Sequence, residues 1–475
     1  MKTGGAAITE KPRKSSDGHR YLRECAAVAV ILIIALGVRL LYQSESIVNR
    51  PIRADAAKYV KAAYNLKYFG VYSLETPRKP TSNTDLSPGF PLFLTIFTGK
   101  AGLNPAVLKV QAVMGALVCV FTFVLARMAL AYGWALAAGI LTALCPHLIA
   151  LDYYLLTESL FTFAMTLGLL LLAVAWKTNR LMFALSAGLA LAISARIRAV
   201  NMLIVFWMAS VFLYRAQERL FSSRAQFIKQ ISLLMLGLVF VTASYRLFIH
   251  HTKATVAHTE VAGEGGAKYT DMSSTVRNWG SILIPPDFYV KEQSHIHLYH
   301  RDRTYKRRTD SGFWENPLPY LRWNLWGRLR MLWHWDNAYN GDVYIYPMTR
   351  KGFEENGVLK GIYRSMRAMH WPLFMLSLAA PVVLFVKWRR KTLPIEQRML
   401  LVPALAFVYF LGVLWMLWML TWLPRYTIPA RPLSYILAAA SLCWLFDAAR
   451  RRKTVAQNVA GGLFSRKGVK IKHEK

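Results

Sequence analysis

The chain has 475 residues, a formal net charge of +34 and a hydrophobic content of 55%, including 13% aromatic residues. Its apolar residues come in long runs with few or no charges, as at 106–125 and 160–176, which excludes a chain built only of soluble domains because such runs can cross a bilayer core of about 30 Å. The positive charge falls largely in short segments between those runs. That distribution is typical of cytoplasmic loops and argues against nucleic acid as the partner of the charge.

The apolar runs predict an all-α polytopic membrane protein of about ten transmembrane helices with both termini in the cytoplasm. The short basic segments set this orientation, because Lys and Arg are enriched in loops on the cytoplasmic side. The predicted parts are a basic cytoplasmic tail at 1–23, an N-terminal transmembrane module at 24–249 with its first extracytoplasmic loop at 43–104, a large extracytoplasmic loop at 250–369, C-terminal transmembrane helices at 370–448 and a second basic cytoplasmic tail at 449–475.

The first polar stretch after the first span contains an acidic residue, Asp55. The pattern that follows predicts a helix over 56–69 ending at Gly70, because glycine adopts the left-handed C-terminal conformation at low steric cost. Tyr59 would share a face with Asp55, since residues four apart on a helix are neighbours. An Asp at a helix start is commonly an N-cap, and that structural role is the alternative to a chemical one. The apolar run PGFPLFL at 88–94 is too short to span a bilayer and is expected to lie in the interface.

The turn before the fourth span reads DYYLLTESLF at 152–161 and places two carboxylates, Asp152 and Glu158, at the mouth of that span. In a structural interpretation, Thr157 caps the helix and Glu158 complements the positive end of its dipole. In a functional interpretation, Glu158 faces a substrate. A charge is tolerable at a bilayer boundary, so both interpretations stay open.

The fifth span ends at Arg196 and Arg198, on the side where the predicted orientation places few positive charges. This departure favours a role in binding an anion, and snorkelling of Arg at the interface is the alternative. Two later segments also lie on the outer side. The Trp-rich and Arg-rich segment 320–335 has the pattern of an interfacial helix, for which a simple anchoring belt is the alternative, and LPRYTIPARP at 423–432 follows the ninth span.

Taken in order, these segments resemble a known family. They are similar to the polyprenyl-phosphate-dependent GT-C glycosyltransferases. The resemblance lies in the acidic residue past the first span, the PGFPLFL run, the LLTE turn, the GLA…R element that ends at Arg196 and the RY..P element that begins at Arg425. The matching group is glycosyltransferase family 39, with the aminoarabinose transferases and protein O-mannosyltransferases. The resemblance implies a GT-C-type helix bundle in the cytoplasmic membrane, a site on its periplasmic or extracellular face, a catalytic module at 24–249 and Asp55 as the catalytic carboxylate.

The resemblance further implies an inverting transfer of a monosaccharide from a polyprenyl-phosphate donor to a glycan, lipid A, lipopolysaccharide or protein acceptor. The lipid phosphate leaves as a stabilised anion, so one carboxylate can suffice, whereas a glycosidase pairs two. Basic groups would hold the phosphate, and polar groups beside them would position the sugar or the acceptor. The candidate substrate-binding residues are Arg53, Lys58, Tyr59, Glu158, Arg196, Arg198, Arg425 and Tyr426.

No cofactor is predicted. No acidic pair at metal-ligand spacing stands beside Asp55, which weighs against an obligatory divalent metal without excluding one. The histidines His295, His297 and His300 lack acidic or Cys partners at zinc spacing and are interpreted as solvated loop residues. The expected partners are a lipid-linked sugar donor, a glycan, lipid or protein acceptor and the lipid bilayer, and not nucleic acid.

Two other classes of protein stay open at this point. A multi-span transporter or flippase should show internal repeats and Gly-broken or Pro-broken spans at matching positions of two halves, and the sequence shows no such repeat. A non-catalytic subunit of a polysaccharide assembly complex would share the membrane architecture. A transfer assay on the purified protein separates that subunit from an enzyme.

Overall fold

The computed structural model describes residues 14–74, 86–198, 224–260, 326–336, 342–394, 396–417 and 424–466, together with positions 318 and 322. The histidines His295, His297 and His300, the predicted sixth span and most of the large loop lie outside the described residues.

The described chain is built mainly of α-helices, with two 3₁₀ helices and four short strands. The α-helices are α1 Lys14–Glu45, α2 Ala54–Phe69, α3 Gly89–Thr95, α4 Ala106–Arg127, α5 Tyr132–Ala143, α6 Pro146–Leu151, α7 Thr157–Thr178, α8 Leu181–Ile197, α9 Arg224–Glu260, α10 Arg328–Leu332, α11 Gly352–Glu355, α12 Gly357–Arg389, α13 Leu401–Leu417 and α14 Arg431–Arg466. The 3₁₀ helices are Glu396–Leu400 and Pro424–Ala430, and the strands are β1 Ile47–Val48, β2 Thr98–Gly99, β3 Gly102–Leu103 and β4 Met348–Arg350.

Six of the described helical segments are long and apolar enough to cross a membrane, judged by length and composition. They are Gly18–Glu45, Ala106–Arg127, Thr157–Thr178, Ile228–Phe248, Gly357–Arg389 and Pro424–Thr454. Two shorter apolar helices, α5 and α8, lie where the third and fifth spans were predicted. The chain is therefore a helical membrane protein, and a total of about ten spans stays a prediction.

The apolar residues at 134–150 predict a third span, but the structure does not have one continuous helix there. The segment divides into α5 and α6 around Cys145, whose backbone is extended at φ −68° and ψ 110°. Pro146 causes the break, because proline lacks the N–H that would continue the hydrogen-bond ladder and pushes the preceding residue out of the helical region. The short α6 that follows is fully buried and leads into the turn before α7.

The helices pack in a chain of neighbours: α1 lies against α4, α4 against α5 and α7, α7 against α8, and α8 against α9, while α14 packs on α12 and α5. Small residues bring α8 and α9 close together. A Cβ on Gly237 would lie 2.8 Å from the backbone nitrogen of Leu189, and a Cβ on Gly188 would collide with the carbonyl of Leu234. Such close backbone approach is characteristic of helix pairs in membranes.

Two small sheets join the loops at the end of the bundle that contains Asp55. β1 pairs antiparallel with β4, and the Asn49 N–H donates to the Pro347 carbonyl at 2.9 Å, so the segment after α1 is fixed to the segment before α11. The β2–β3 hairpin follows α3, and Lys67 at the end of α2 donates to the carbonyls of Thr95 and Thr98 at 2.9 and 2.6 Å. These connections hold α2 in place over the bundle.

Candidate active site

Asp55 lies in the first turn of α2, which begins at Ala54 with Arg53 as its N-cap residue. No side chain caps the helix start, so the N-cap interpretation of Asp55 is wrong. The carboxylate instead accepts a hydrogen bond of 2.9 Å from Nη2 of Arg425, and the Asp55 side chain keeps 37% exposure. The predicted end of the helix is confirmed, because Gly70 adopts the left-handed conformation at φ 66°.

Arg425 comes from the Pro424–Ala430 helix, which packs against α7. Its side chain is only 13% exposed and reaches two carboxylates. Nη2 holds Asp55, while Nε lies 3.6 Å from Oε1 of Glu158, too far for a hydrogen bond, and has no hydrogen-bond partner among the described residues. Arg425 therefore keeps a buried donor that can serve another anion.

Glu158 is buried at the start of α7. The predicted cap is wrong in detail: the helix begins at Thr157, its N-cap residue is Leu156, and the Thr157 hydroxyl donates to Oε2 of Glu158 at 3.3 Å. Oε1 of Glu158 forms an ion pair of 2.9 Å with Arg198. Two guanidinium groups thus approach one buried carboxylate oxygen, that of Arg198 at 2.9 Å and that of Arg425 at 3.6 Å.

Arg198 reaches this position because α8 ends just before it and its backbone is extended, at φ −141° and ψ 122°. The start of α3 lies directly against this end, since a Cβ on Gly89 would lie 2.8 Å from the carbonyl oxygen of Arg196. The ring of Tyr426 lies between two cations, 4.7 Å from Cζ of Arg198 and 5.2 Å from Cζ of Arg425. Cation–π attraction of this kind favours guanidinium groups at aromatic faces.

Tyr59 lies on α2 one turn after Asp55 and packs edge-on against Phe90 of α3, with ring centroids 5.2 Å apart. Burial raises the pKa of Tyr59 above its ordinary range, and the negative charges of Glu158 and Asp55 raise it further. The side chain is therefore a neutral phenol with a proton to donate, close enough to Glu158, Asp55, Arg198 and Arg425 to respond to their charges.

The structure brings Asp55, Tyr59, Glu158, Arg198, Arg425 and Tyr426 together, and the remaining candidate residues lie elsewhere. Arg196 extends toward α9, where it donates to the Thr242 hydroxyl at 3.3 Å. Lys58 is exposed and forms no ion pair with a described residue. Arg53 lies at the rim, with Cζ 5.8 Å from the ring centroid of Tyr346.

Sequence reasoning missed Tyr346. Its hydroxyl donates to the Arg53 carbonyl at 3.4 Å, and its ring packs edge-on against Tyr154 at 5.4 Å. Burial raises the pKa of Tyr346 to about 12, so it is a neutral donor at the helix start that carries Asp55. Its place depends on the β1–β4 pairing, for which the sequence gives only a weak local signal.

Asp152 does not share the site with Glu158. It is buried beside Arg39 of α1 at 2.7 Å and also accepts a hydrogen bond from the Ser159 hydroxyl. The turn that contains it is held by Gln111, whose side-chain amide donates to the Tyr154 carbonyl at 2.8 Å. The two carboxylates at this turn therefore have separate roles.

The predicted interfacial helix at 320–335 also differs from the structure in its described part. α10 is short, and Trp333 and Trp335 after it are buried in the core. Among the described residues, no group of three or more His, Cys, Asp or Glu side chains is placed to hold a metal ion.

Comparison with known proteins identifies the fold. No protein-family model matches the chain, and no curated protein matches it in sequence. Among solved structures, the chain is similar to the oligosaccharyltransferase AglB from Archaeoglobus fulgidus in complex with an inhibitory peptide and a dolichol-phosphate, with a TM-score of 0.52 and 12% identity. It is equally similar to the apo form of the Archaeoglobus fulgidus enzyme, with a TM-score of 0.52 and 12% identity. The form tethered to an acceptor peptide gives a TM-score of 0.51 and 13% identity.

These matches cover 91–92% of this chain but only 50–52% of the oligosaccharyltransferase. The chain thus spans about half the length of the solved structures that it matches. At this level of identity the similarity shows the fold, which is the GT-C-type membrane fold of those glycosyltransferases. The family-39 assignment within that class is a proposal.

Proposed function

We propose that the protein is an inverting glycosyltransferase that moves a monosaccharide from a polyprenyl-phosphate donor to an acceptor on the outer face of the cytoplasmic membrane. One cluster of side chains carries this proposal. The partly exposed Asp55 carboxylate lies 2.9 Å from Arg425, and Arg425 and Arg198 both approach the buried Glu158. A base beside fixed cations is the arrangement that transfer from a phosphate-linked sugar requires.

The reaction needs one base and one group to stabilise the leaving phosphate. An acceptor hydroxyl or amine attacks the anomeric carbon, its proton passes to the Asp55 carboxylate, and the bond between the anomeric carbon and the phosphate oxygen breaks. The electron pair of that bond leaves with the lipid phosphate. Arg425 and Arg198 stabilise the charge that develops on the phosphate, and attack from the opposite face inverts the anomeric centre.

The free donor on Arg425 supports its phosphate role. In the structure, a hydrogen bond from Nη2 of Arg425 occupies the Asp55 carboxylate. In the proposed mechanism, the donor phosphate takes the Nε group and competes for Nη2, which frees the Asp55 carboxylate for the acceptor. Glu158 keeps both arginines in place during this exchange, and Tyr59 donates a hydrogen bond to the sugar or the acceptor.

The solved neighbours support a lipid-linked donor. One oligosaccharyltransferase structure contains a dolichol-phosphate and an inhibitory peptide, and another is tethered to an acceptor peptide. For this chain, a polyprenyl-phosphate sugar as donor and a glycan, lipid A, lipopolysaccharide or protein as acceptor are part of the proposal.

The test is a transfer assay with the purified protein in lipid nanodiscs. Polyprenyl-phosphate sugars are incubated with candidate acceptors, and mass spectrometry follows both products. We expect the sugar mass on the acceptor and free polyprenyl phosphate in equal amount. If the intact lipid-linked sugar crosses the bilayer and no sugar reaches the acceptor, the result contradicts the proposal and indicates a flippase. Comparison of surface glycans between a parent strain and a deletion strain identifies the sugar and the acceptor.

A further inference from the structure

The four residues after α10, 333–336, are non-helical, and we call this segment the tryptophan turn. Trp333 and Trp335 are buried. Because this backbone is not helical, its carbonyls need hydrogen-bond donors from elsewhere, since an unpaired buried carbonyl costs free energy. The side chains that supply those donors show which elements the turn is bound to.

Three side chains from three separate elements supply the donors. The Thr427 hydroxyl lies 2.9 Å from the Leu332 carbonyl, Nε2 of His370 lies 2.7 Å from the Trp333 carbonyl, and Nε2 of His147 lies 2.7 Å from the Trp335 carbonyl. A carbonyl only accepts, so both imidazoles must be protonated on Nε2. The tryptophan turn and the last residue of α10 are therefore fixed to α6, α12 and the Pro424–Ala430 helix by three hydrogen bonds.

A buried cation completes this arrangement. Arg431 is 1% exposed, and no ion pair links it to a described carboxylate. Its Cζ lies 5.7 and 5.9 Å from the ring centroids of Trp333 and Trp335, and Nη1 lies 3.5 Å from Nδ1 of His370. The two indole faces and the imidazole thus stabilise the guanidinium in place of an acidic partner.

The tryptophan turn is connected to the candidate site through Thr427. The Thr427 hydroxyl also lies 2.9 Å from the carbonyl of Pro424, the residue before Arg425, and its single hydrogen is shared between the two carbonyls. The helix that contains Arg425 is of the 3₁₀ type, whose hydrogen bonds have poor geometry and give it little stability of its own. Its position must therefore come from what it packs against.

We propose that Thr427 and His370 are positioning residues, which hold the Pro424–Ala430 helix against the tryptophan turn and so fix Arg425 for the donor phosphate. This inference rests on the proposed function for its effect on transfer.

The first test is a double-mutant cycle on transfer activity. Thr427→Val keeps the side-chain volume and removes the hydroxyl, and we expect it to raise the KM for the lipid-linked donor by about tenfold while the KM for the acceptor stays unchanged. Thr427→Ser restores the parent KM. In an Arg425→Ala background, Thr427→Val has no further effect, because Arg425 is the group through which it acts. An equal factor in both backgrounds overturns the inference and makes Thr427 merely structural.

The second test does not depend on transfer. Backbone hydrogen exchange is measured over 424–431 in the full-length parent, His370→Ala and His370→Gln, with the exposed His334→Gln as the local control. We expect faster exchange in His370→Ala only, since Gln can still donate to the Trp333 carbonyl and accept from Arg431. Unchanged exchange over 424–431 in His370→Ala overturns the inference. A parent that transfers no sugar refutes the proposed function, and the exchange result still decides this inference.

Discussion

Two ion pairs at the same end of the bundle differ in how completely they are enclosed. The Arg39–Asp152 pair is closed: its side chains are 1% and 6% exposed, and both carboxylate oxygens have partners, one in Arg39 and the other in Ser159. The Arg425–Asp55 pair is open, with side chains 13% and 37% exposed. Each arginine keeps one guanidinium nitrogen without a hydrogen bond to a described residue, Nη2 in Arg39 and Nε in Arg425, so the two pairs differ in their exposure. A closed pair fixes the fold, whereas an open pair has the capacity to bind and react.

Glycine residues make both arrangements fit. A Cβ on Gly115 of α4 would lie 2.5 Å from Nε of Arg39 and would collide with the Asp152 carboxylate, so only glycine leaves room for the closed pair. At the open pair, Gly89 allows α3 to meet the end of α8 just before Arg198. The same device of a missing side chain thus serves stability in one region and the site in the other.

Removing the acid at the open Arg425–Asp55 pair should cause the largest loss of transfer activity. Asp55→Asn removes the base but keeps the shape, and we expect transfer to fall by about 1,000-fold. The thermal unfolding midpoint should stay that of the parent, because the Asp55 side chain is partly exposed. Glu354→Gln, at an exposed ion pair with Lys351, is the matched loss of an acid and should transfer sugar normally. Near-normal transfer by Asp55→Asn would remove Asp55 from the mechanism.

Breaking the closed Arg39–Asp152 pair should lower the stability of the protein and leave its transfer activity unchanged. Asp152→Asn leaves the buried Arg39 without a counter-charge, so we expect a loss of about 3–5 kcal/mol in the free energy of unfolding. The fraction that remains folded should transfer sugar at the parent rate. The double variant Arg39→Met with Asp152→Leu should recover much of the stability, because no unpaired charge is left buried. Calorimetry in detergent together with the transfer assay checks both statements.

The two arginines at the end of α8 should differ in their effect on transfer, because only Arg198 pairs with Glu158. Arg198→Met leaves Glu158 with Arg425 as its remaining cation, which draws Arg425 away from Asp55, and we expect transfer to fall by about 100-fold. Arg196→Met should cost much less transfer, because Arg196 bonds to Thr242 on α9. Equal losses in the two variants would show that the pairing with Glu158 does not matter for the reaction. The rates are measured at saturating donor.

The smallest expected change in stability concerns Gly115, which leaves room for the Arg39–Asp152 pair. Gly115→Ala forces the Arg39–Asp152 pair apart, and we expect it to destabilise the protein by about 1–3 kcal/mol. Gly133→Ala is the matched control, since a Cβ there would meet no atom within 4 Å. The two thermal unfolding midpoints should differ accordingly. Equal midpoints would mean that α4 can shift without cost.

Local signals in the sequence account for much of the fold and single out several of the residues that meet at the candidate site. The long apolar runs follow from the length that a helix needs to cross a bilayer, and Gly70 follows from the backbone conformation of a helix end. Asp55, Glu158, Arg198 and Arg425 each stand beside a predicted helix end, which is where a polar group is tolerated next to an apolar span.

Partnerships between distant residues required the tertiary structure. Arg39 and Asp152 lie 113 residues apart, and no local pattern shows that Asp152 pairs with α1 while Glu158 turns to the site. The direction of a side chain depends on the rotation of its helix and on the exact residue at which that helix ends, so Arg196 and Arg198 diverge although they are close in sequence. Tyr346 comes to lie beside Arg53 at the candidate site because β4 pairs with β1. Local patterns in the sequence therefore indicate which charged and polar groups stand at helix ends, whereas the packing of the helices brings particular ones into contact.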